Sequence, residues 1–224
     1  MPFHVPCLPN TNRCPEPAGP SRGYLAVPRR MALVFAGDMM RAFFCIPLEP
    51  DVVRSIAPLA ATLRARINIR ASWVRPENYH VTLRFLGEIE PELTIDLERL
   101  AQRVTGRRAP FALPLDRLGA FPSADRARVL WIGGDASPEF LGLASSLQHE
   151  LAELGFPRER PPLVAHVTLA RLKGRADAAV PSALGTTETP TGLTTRADRL
   201  VLMQSELTST GAVYKPLFTV RFGG

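Results

Sequence analysis

The chain has 224 residues, 46% of them hydrophobic and 7% aromatic, with a formal net charge of +6 at pH 7 and a pI near 9.9. That composition supports a buried core and excludes an intrinsically disordered chain, and no apolar run approaches the length of a membrane span. The basic balance favours anionic partners such as nucleic acid or phosphorylated metabolites, although 25 of the 27 basic residues are Arg, a skew that genomic base composition also produces.

Residues 1–39 are rich in Pro and lack periodic apolar positions, so they are expected to be a disordered extension, or a misassigned one if translation starts at Met39 or Met40. The intact mass of the native protein decides between these. PRRMALVFAG has a twin arginine, but its apolar stretch ends at Gly37 and Asp38, too early for an export signal. A single domain is expected over 40–224. RAFFCIPL reads as a strand and DVVRSIAPLAATLRARI as a helix, with Pro58 marking a kink or a late start. YHVTLRFLGEI is a strand and PELTIDLERLAQRV an amphipathic helix. FALPLDRLGAF and ARVLWIGG read as two strands around PSADR. SPEFLGLASSLQHELAELGF is a long helix, with Ser137 as N-cap and Gly155 as its stop. AHVTLARL is a strand, SALGTTETPTG a loop, and ADRLVLMQSEL and YKPLFTVRF two closing strands.

Of three cysteines, Cys7 and Cys14 lie in the extension and Cys45 in an apolar run, with no CxxC among them. An odd count without that spacing argues against disulfides and structural zinc, so a reducing cytoplasm is expected.

The chain writes His-Val-Thr-Leu twice, from His80 and from His166, and the extended stretches HVTLRFLGE and HVTLARLKG agree at five of nine positions. On a strand, alternation sets His80 with Thr82 on one face and Val81 with Leu83 on the other, and the second copy repeats this with His166, Thr168, Val167 and Leu169. The apolar pairs suit a core, while the polar pairs need a wet or ligand-filled face. If the two strands lie side by side about a pseudo-twofold axis, two imidazoles and two hydroxyls line one groove. Such a set suits phosphodiester chemistry: one neutral imidazole as base, one imidazolium as acid, and hydroxyls donating to phosphoryl oxygens. Two histidines without a third ligand or a carboxylate cluster point away from a metal, so no cofactor is expected. His149, on a polar helix face, and His4, in the extension, carry no such argument.

These motifs, in the contexts MRAFFCIPL, WVRPENYHVTLRFLGEI, RLGAFPSADRARVLWIGG, LVAHVTLARL and LMQSELTSTGAVYKPL, resemble the 2H phosphoesterases, and among them the RNA 2′,3′-cyclic phosphodiesterase or 2′-5′ RNA ligase-like family. The resemblance implies an α/β (α+β) bilobal, pseudo-twofold fold, with two mainly antiparallel sheets flanked by helices around a central cleft. It implies hydrolysis of RNA 2′,3′-cyclic phosphate ends to a 2′-phosphomonoester, with His80 as proton donor and His166 as proton acceptor, and reversible 2′-5′ ligation. Thr82 and Thr168 would bind phosphoryl oxygens, Arg171 the phosphate charge, and Phe85 a terminal base. Phe85 and Arg171 each stand five residues after their His, which places them on the opposite strand face unless a bulge or strand end re-aims them. Tyr79 alternates away from His80 toward the core. Arg75 and Arg126 are RNA-backbone candidates or solvated surface. Ser205, Tyr214 and Lys215 receive no chemistry. The expected partner is an RNA end with a cyclic phosphate, tRNA fragments among the sources, with a monomer and no membrane. The alternatives are a phosphodiesterase for small cyclic nucleotides or ADP-ribose cyclic phosphate, a non-catalytic RNA-binding module, and a metal-dependent hydrolase that a chelator would silence.

Overall fold

A computed structural model describes residues 39–159, 164–174, 176–208 and 211–223. The expectations for the extension, including Cys7 and Cys14, lie outside the described residues apart from Met39.

The first strand, β1 (Met40–Pro47), feeds helix α1 (Pro50–Arg66), which runs through Pro58 without ending. Pro58 lies on the exposed side of a helix whose Val52, Ile56, Ala60 and Leu63 recur at helical spacing and are buried in the core. Strand β2 (Ala71–Trp73), a 3₁₀ turn at Pro76–Asn78 and β3 (His80–Ile89) follow. Helix α2 (Thr94–Thr105) starts after a turn at Pro91–Leu93. FALPLDRLGAF, read as one strand, is two: β4 (Phe111–Pro114) and β5 (Arg117–Phe121), which join different sheets. Leu115, between them, is fully buried and donates its N–H to the Leu193 carbonyl, so tertiary pairing breaks the run. Strand β6 (Val129–Asp135) leads to α3 (Pro138–Glu153), where the Ser137 hydroxyl accepts the Phe140 N–H at 3.3 Å as an N-cap. Gly155, at φ 89°, takes the left-handed conformation that ends the helix. Strand β7 (Val164–Leu172) carries the second motif. The segment read as a loop, 182–192, begins inside α4 (Ala179–Thr186) and leads to β8 (Thr194–Ala197), before β9 (Arg199–Thr208) and β10 (Gly211–Arg221) close the chain.

Among the described residues the strands form two antiparallel sheets of unequal size. Eight strands run β10-β9-β1-β3-β7-β6-β5 with β2 on β7, and β4 pairs with β8 in a two-stranded sheet. One wing, β10-β9-β1-β3, meets the other, β7-β6-β5 with β2, at a single Cα pair, Val81 with Val167. Both halves thus share one sheet that is pinned at the two motifs. Val81, Leu83, Val167 and Leu169 sink into the main core with Ile56, Leu97 and Leu147. Each such side chain contributes about 1.5–3 kcal/mol on burial. A second, small cluster of Phe43, Cys45 and Val201 lies apart from that core, with Met203 and Tyr214 against it.

Candidate active site

The Val81–Val167 pair is the centre of both His-Val-Thr triplets. An antiparallel register about it sets Thr168 across from His80 and Thr82 across from His166. The two motifs are therefore related by a local twofold axis, with their polar residues on the face opposite the main core. Both histidines and both threonines are half-buried, while the valines between them are fully buried. This is the juxtaposition expected from alternation.

The two strands also break alternation at the same point. On β3, Arg84 pairs with Phe44 and Thr82 with Cys45, so Leu83 is an extra residue in the ladder. On β7, Ala170 pairs with Leu130 and Thr168 with Trp131, so Leu169 is the extra residue. Leu83 with Arg84, and Leu169 with Ala170, are consecutive buried residues. A bulge that inserts one residue returns the offset-five positions to the histidine face. Phe85 is accordingly 57% exposed, with its ring 5.5 Å from that of Phe43, which stacks at 4.9 Å on His80. Arg171 is exposed on the same face and close enough for its charge to act on both histidines. The objection that spacing raises is thus met twice, by matched bulges at the Leu of each HVTL. Phe85 is no core residue.

Each imidazole is held by the backbone just before it. His80 Nδ1–H donates to the Asn78 carbonyl at 2.8 Å and His166 Nδ1–H to the Val164 carbonyl at 3.2 Å, in both cases two residues back. With Nδ1 protonated, the neutral ring carries its lone pair on Nε2. The Thr82 hydroxyl, 3.0 Å from His80 Nε2, donates to it. Aromatic rings fix the imidazole planes: Phe43 and Tyr214 around His80, Phe121 and Trp131 around His166. A backbone carbonyl comes with any residue type, and these ring neighbours come from other strands, so the motif spacing signals none of them. A cavity of about 460 Å³ flanks His80, lined in part by Pro47, Arg54, Asn78, Met203 and Tyr214.

Burial holds both imidazoles neutral. His80 is lowered to about 4 by desolvation, opposed by the bond to Asn78 and reinforced by His166 and Arg171. His166 is lowered by desolvation and by Arg171, against its bond to Val164. Because the unfolded histidine titrates near 6.5, the unfolded state binds more protons between that pH and about 4, and stability rises with pH across this window. The stability is fully present above about pH 6.5 and is lost as the pH falls through the folded value, by about 3 kcal/mol for His80. Urea unfolding at pH 7 and pH 4.5 is expected to show this loss in the wild type and a smaller one in His80→Gln. Equal losses in both would sink the assignment.

Tyr79 is buried in the core, and burial pushes its hydroxyl up to about 12. Cys45 is buried beside Phe43, its thiol also pushed up to about 12 by desolvation, which leaves it an inert core group. His149 is exposed on α3. Arg75 and Arg126 are exposed, and Lys215 pairs with Glu206 at 2.8 Å. Tyr214, given no role from sequence, stands at 5.3 Å from the His80 ring. Among the described residues no group of three or more His, Cys, Asp or Glu is placed to hold a metal ion, and no helix is long and apolar enough to cross a membrane.

A mixed α/β fold that sets two His-x-Thr strands on one sheet face defines the class of the 2H phosphoesterases. A family model described as LigT like Phosphoesterase matches residues 46–131 and 134–214. The RNA 2′,3′-cyclic phosphodiesterase of Archaeoglobus fulgidus is 32% identical over 178 residues, covering 80% of this chain and 98% of the relative. The protein of that name from Aeropyrum pernix is 35% identical over 161 residues, covering 70% and 89%. Among solved structures, TT0787 of Thermus thermophilus is 29% identical with a TM-score of 0.69, covering 83% of this chain and 99% of that one. E. coli LigT, solved with 3′-AMP, is 26% identical with a TM-score of 0.68, covering 84% and 100%. The chain belongs to the LigT-like phosphoesterase family.

Proposed function

We propose that this protein opens the 2′,3′-cyclic phosphate at an RNA end with water, giving a 2′-phosphomonoester, by two-histidine acid–base catalysis that needs no metal ion. The observation that supports this reading is the antiparallel meeting of the two motifs at Val81 and Val167, which brings both His-x-Thr pairs to neighbouring positions on one sheet face. The names of the relatives above supply the substrate class.

His166 accepts a proton from water at Nε2, the water oxygen attacks phosphorus, the P–O3′ bond breaks, and His80 delivers a proton from Nε2 to the departing O3′. The cavity beside His80 supports that direction, because it offers room for the ribose, which stays joined to phosphorus through O2′ and carries the departing O3′. Thr82 and Thr168 donate to non-bridging oxygens, Arg171 balances the phosphate charge, and exposed Phe85 offers a face to the terminal base. The acid must carry a proton although burial disfavours one. The phosphate anion supplies the negative charge that draws it on. A ribose 5′-hydroxyl in place of water would give a 2′-5′ bond, and bulk water favours hydrolysis. RNA ends, tRNA fragments among them, are the partners in this reading, and a monomer in the cytoplasm is its simplest setting.

The test is a short RNA ending in a 2′,3′-cyclic phosphate, incubated with EDTA, with the phosphate position of the product identified. Turnover that persists in EDTA and yields the 2′-phosphate is expected. A 3′-phosphate product would reverse the broken bond, and loss of turnover with chelator would return the chemistry to a metal.

A further inference from the structure

The face that carries the two histidines does not stop at Arg171. Just past the end of β7, two residues further along, Lys173 is exposed, with buried Leu172 between them. Strand β2 pairs with this end of β7 in the register Ser72 with Arg171 and Ala71 with Leu172. The ladder closes with the Lys173 N–H donating to the Arg70 carbonyl at 2.8 Å. Residues directly across an antiparallel pair project on one face. Arg70, Ser72, Arg171 and Lys173 are therefore neighbours on the histidine face, and all four are exposed. From the other side, the exposed Arg128 reaches the same strand end, its Nη1 donating to the Gly174 carbonyl at 3.3 Å. The first acidic residue after Lys173 along the chain, Asp177, accepts the Ala179 N–H at the start of α4.

We infer that this strip is a path for the phosphodiester backbone of single-stranded RNA, taking the nucleotides next to the terminal phosphate; the inference rests on the RNA reading above. Successive outward residues of a strand stand about 7 Å apart, so Arg171 and Lys173 meet successive phosphates of an extended strand. Arg70 widens the strip to two cations at its outer end, and Ser72 adds a hydroxyl donor. Like charges directly across a ladder repel, so the Arg70–Lys173 pairing weakens the free sheet edge and is relieved by an anion. A mononucleotide occupying the histidines reaches Arg171 but not Arg70 or Lys173, which ties the outer end of the strip to chain length rather than to chemistry.

The experiment measures binding of a 5′-labelled, single-stranded RNA of about ten nucleotides ending in a 2′-phosphate, by anisotropy over a salt series, beside competition by a nucleoside 2′-monophosphate. The variants are Arg70→Glu/Lys173→Glu and a control with the same charge change on exposed residues elsewhere, Arg64→Glu/Arg107→Glu. The first pair is expected to weaken the ten-mer about ten-fold or more at low salt and to flatten the slope of log K against log salt by about 1.4, two lost phosphate contacts. Mononucleotide affinity and turnover of a cyclic mononucleotide stay at the wild-type level. Ten-mer binding equal to the control overturns the inference. So does an equal loss for ten-mer and mononucleotide, which places both residues at the terminal phosphate, and so does a wild type that binds the two ligands alike. Wild-type turnover of the cyclic mononucleotide tests the catalytic reading separately, since binding of a product-ended RNA requires no chemistry.

Discussion

Replacing His80 or His166 with alanine is expected to lower turnover of an RNA 2′,3′-cyclic phosphate by about 10²–10⁴-fold in each case. The double variant should fall little below the worse single one, because an acid and a base that act on one phosphate in one transition state are not additive. Neither substitution should unfold the chain. Each ring is held by one hydrogen bond to the backbone two residues before it, and the strands are anchored from the other face by Val81, Leu83, Val167 and Leu169. Burial also penalises each imidazolium, so below about pH 6 the variants should match or exceed the wild type in stability. RNA affinity separates this account from a binding module. If the histidines are proton-transfer groups, Kd for a product-ended RNA changes far less than turnover. A single variant that keeps most of its turnover would remove that histidine from the mechanism, and a wild type that binds RNA without opening the cyclic phosphate would favour the module.

The candidate site was legible because its residues follow a period of two. His-x-Thr repeated on two strands states which residues share a face, and Val81 and Val167 between them state which face is buried. The two bulges were legible only as a demand, since Phe85 and Arg171 fall on the wrong face without them. Nothing in HVTLRF or HVTLAR marks where the ladder gains a residue. That is settled by the neighbours, Phe44–Cys45 on one side and Leu130–Trp131 on the other. The elements that reading missed share a physical cause. Strand β2 has three residues, too few for a period, and is defined by pairing with β7. Helix α4 is built largely from Val, Pro, Ser, Gly and Thr, poor helix formers, and its C-terminal turn is tied by Arg66, whose Nη1 donates to the Thr186 carbonyl and to the Thr186 and Thr187 hydroxyls. Local propensity could not report a contact made 120 residues away. Tyr214 was passed over for the same reason, since only the β10–β9–β1 pairing carries it beside His80.

The second large effect is expected where β6 meets His166. Gly133 pairs directly with His166, and a Cβ on Gly133 would stand 2.3 Å from the Ala165 carbonyl oxygen and 3.0 Å from His166 Cα. Both are backbone atoms, so no rotamer change makes room, and the strands must part or shift at the residue that holds the second imidazole. A glycine inside a strand marks such an approach. Gly133→Ala is expected to cost about 1–3 kcal/mol, lowering Tm by a few degrees per kcal/mol for a domain of this size. It should also cut turnover by about 10²-fold, since a displacement of an ångström at a reacting group is enough for that. Gly134→Ala supplies the comparison. Its Cβ would meet Pro114, at 2.6 Å from Cβ and 2.7 Å from the carbonyl oxygen, on the β4 side of the strand. Gly134→Ala should therefore lose similar stability and keep far more activity at a temperature where both variants are folded. The two glycines thus separate what the sheet needs to close from what the phosphate needs to react. Equal turnover in the two variants would mean that the β6–β7 spacing at Gly133 does not set the position of His166.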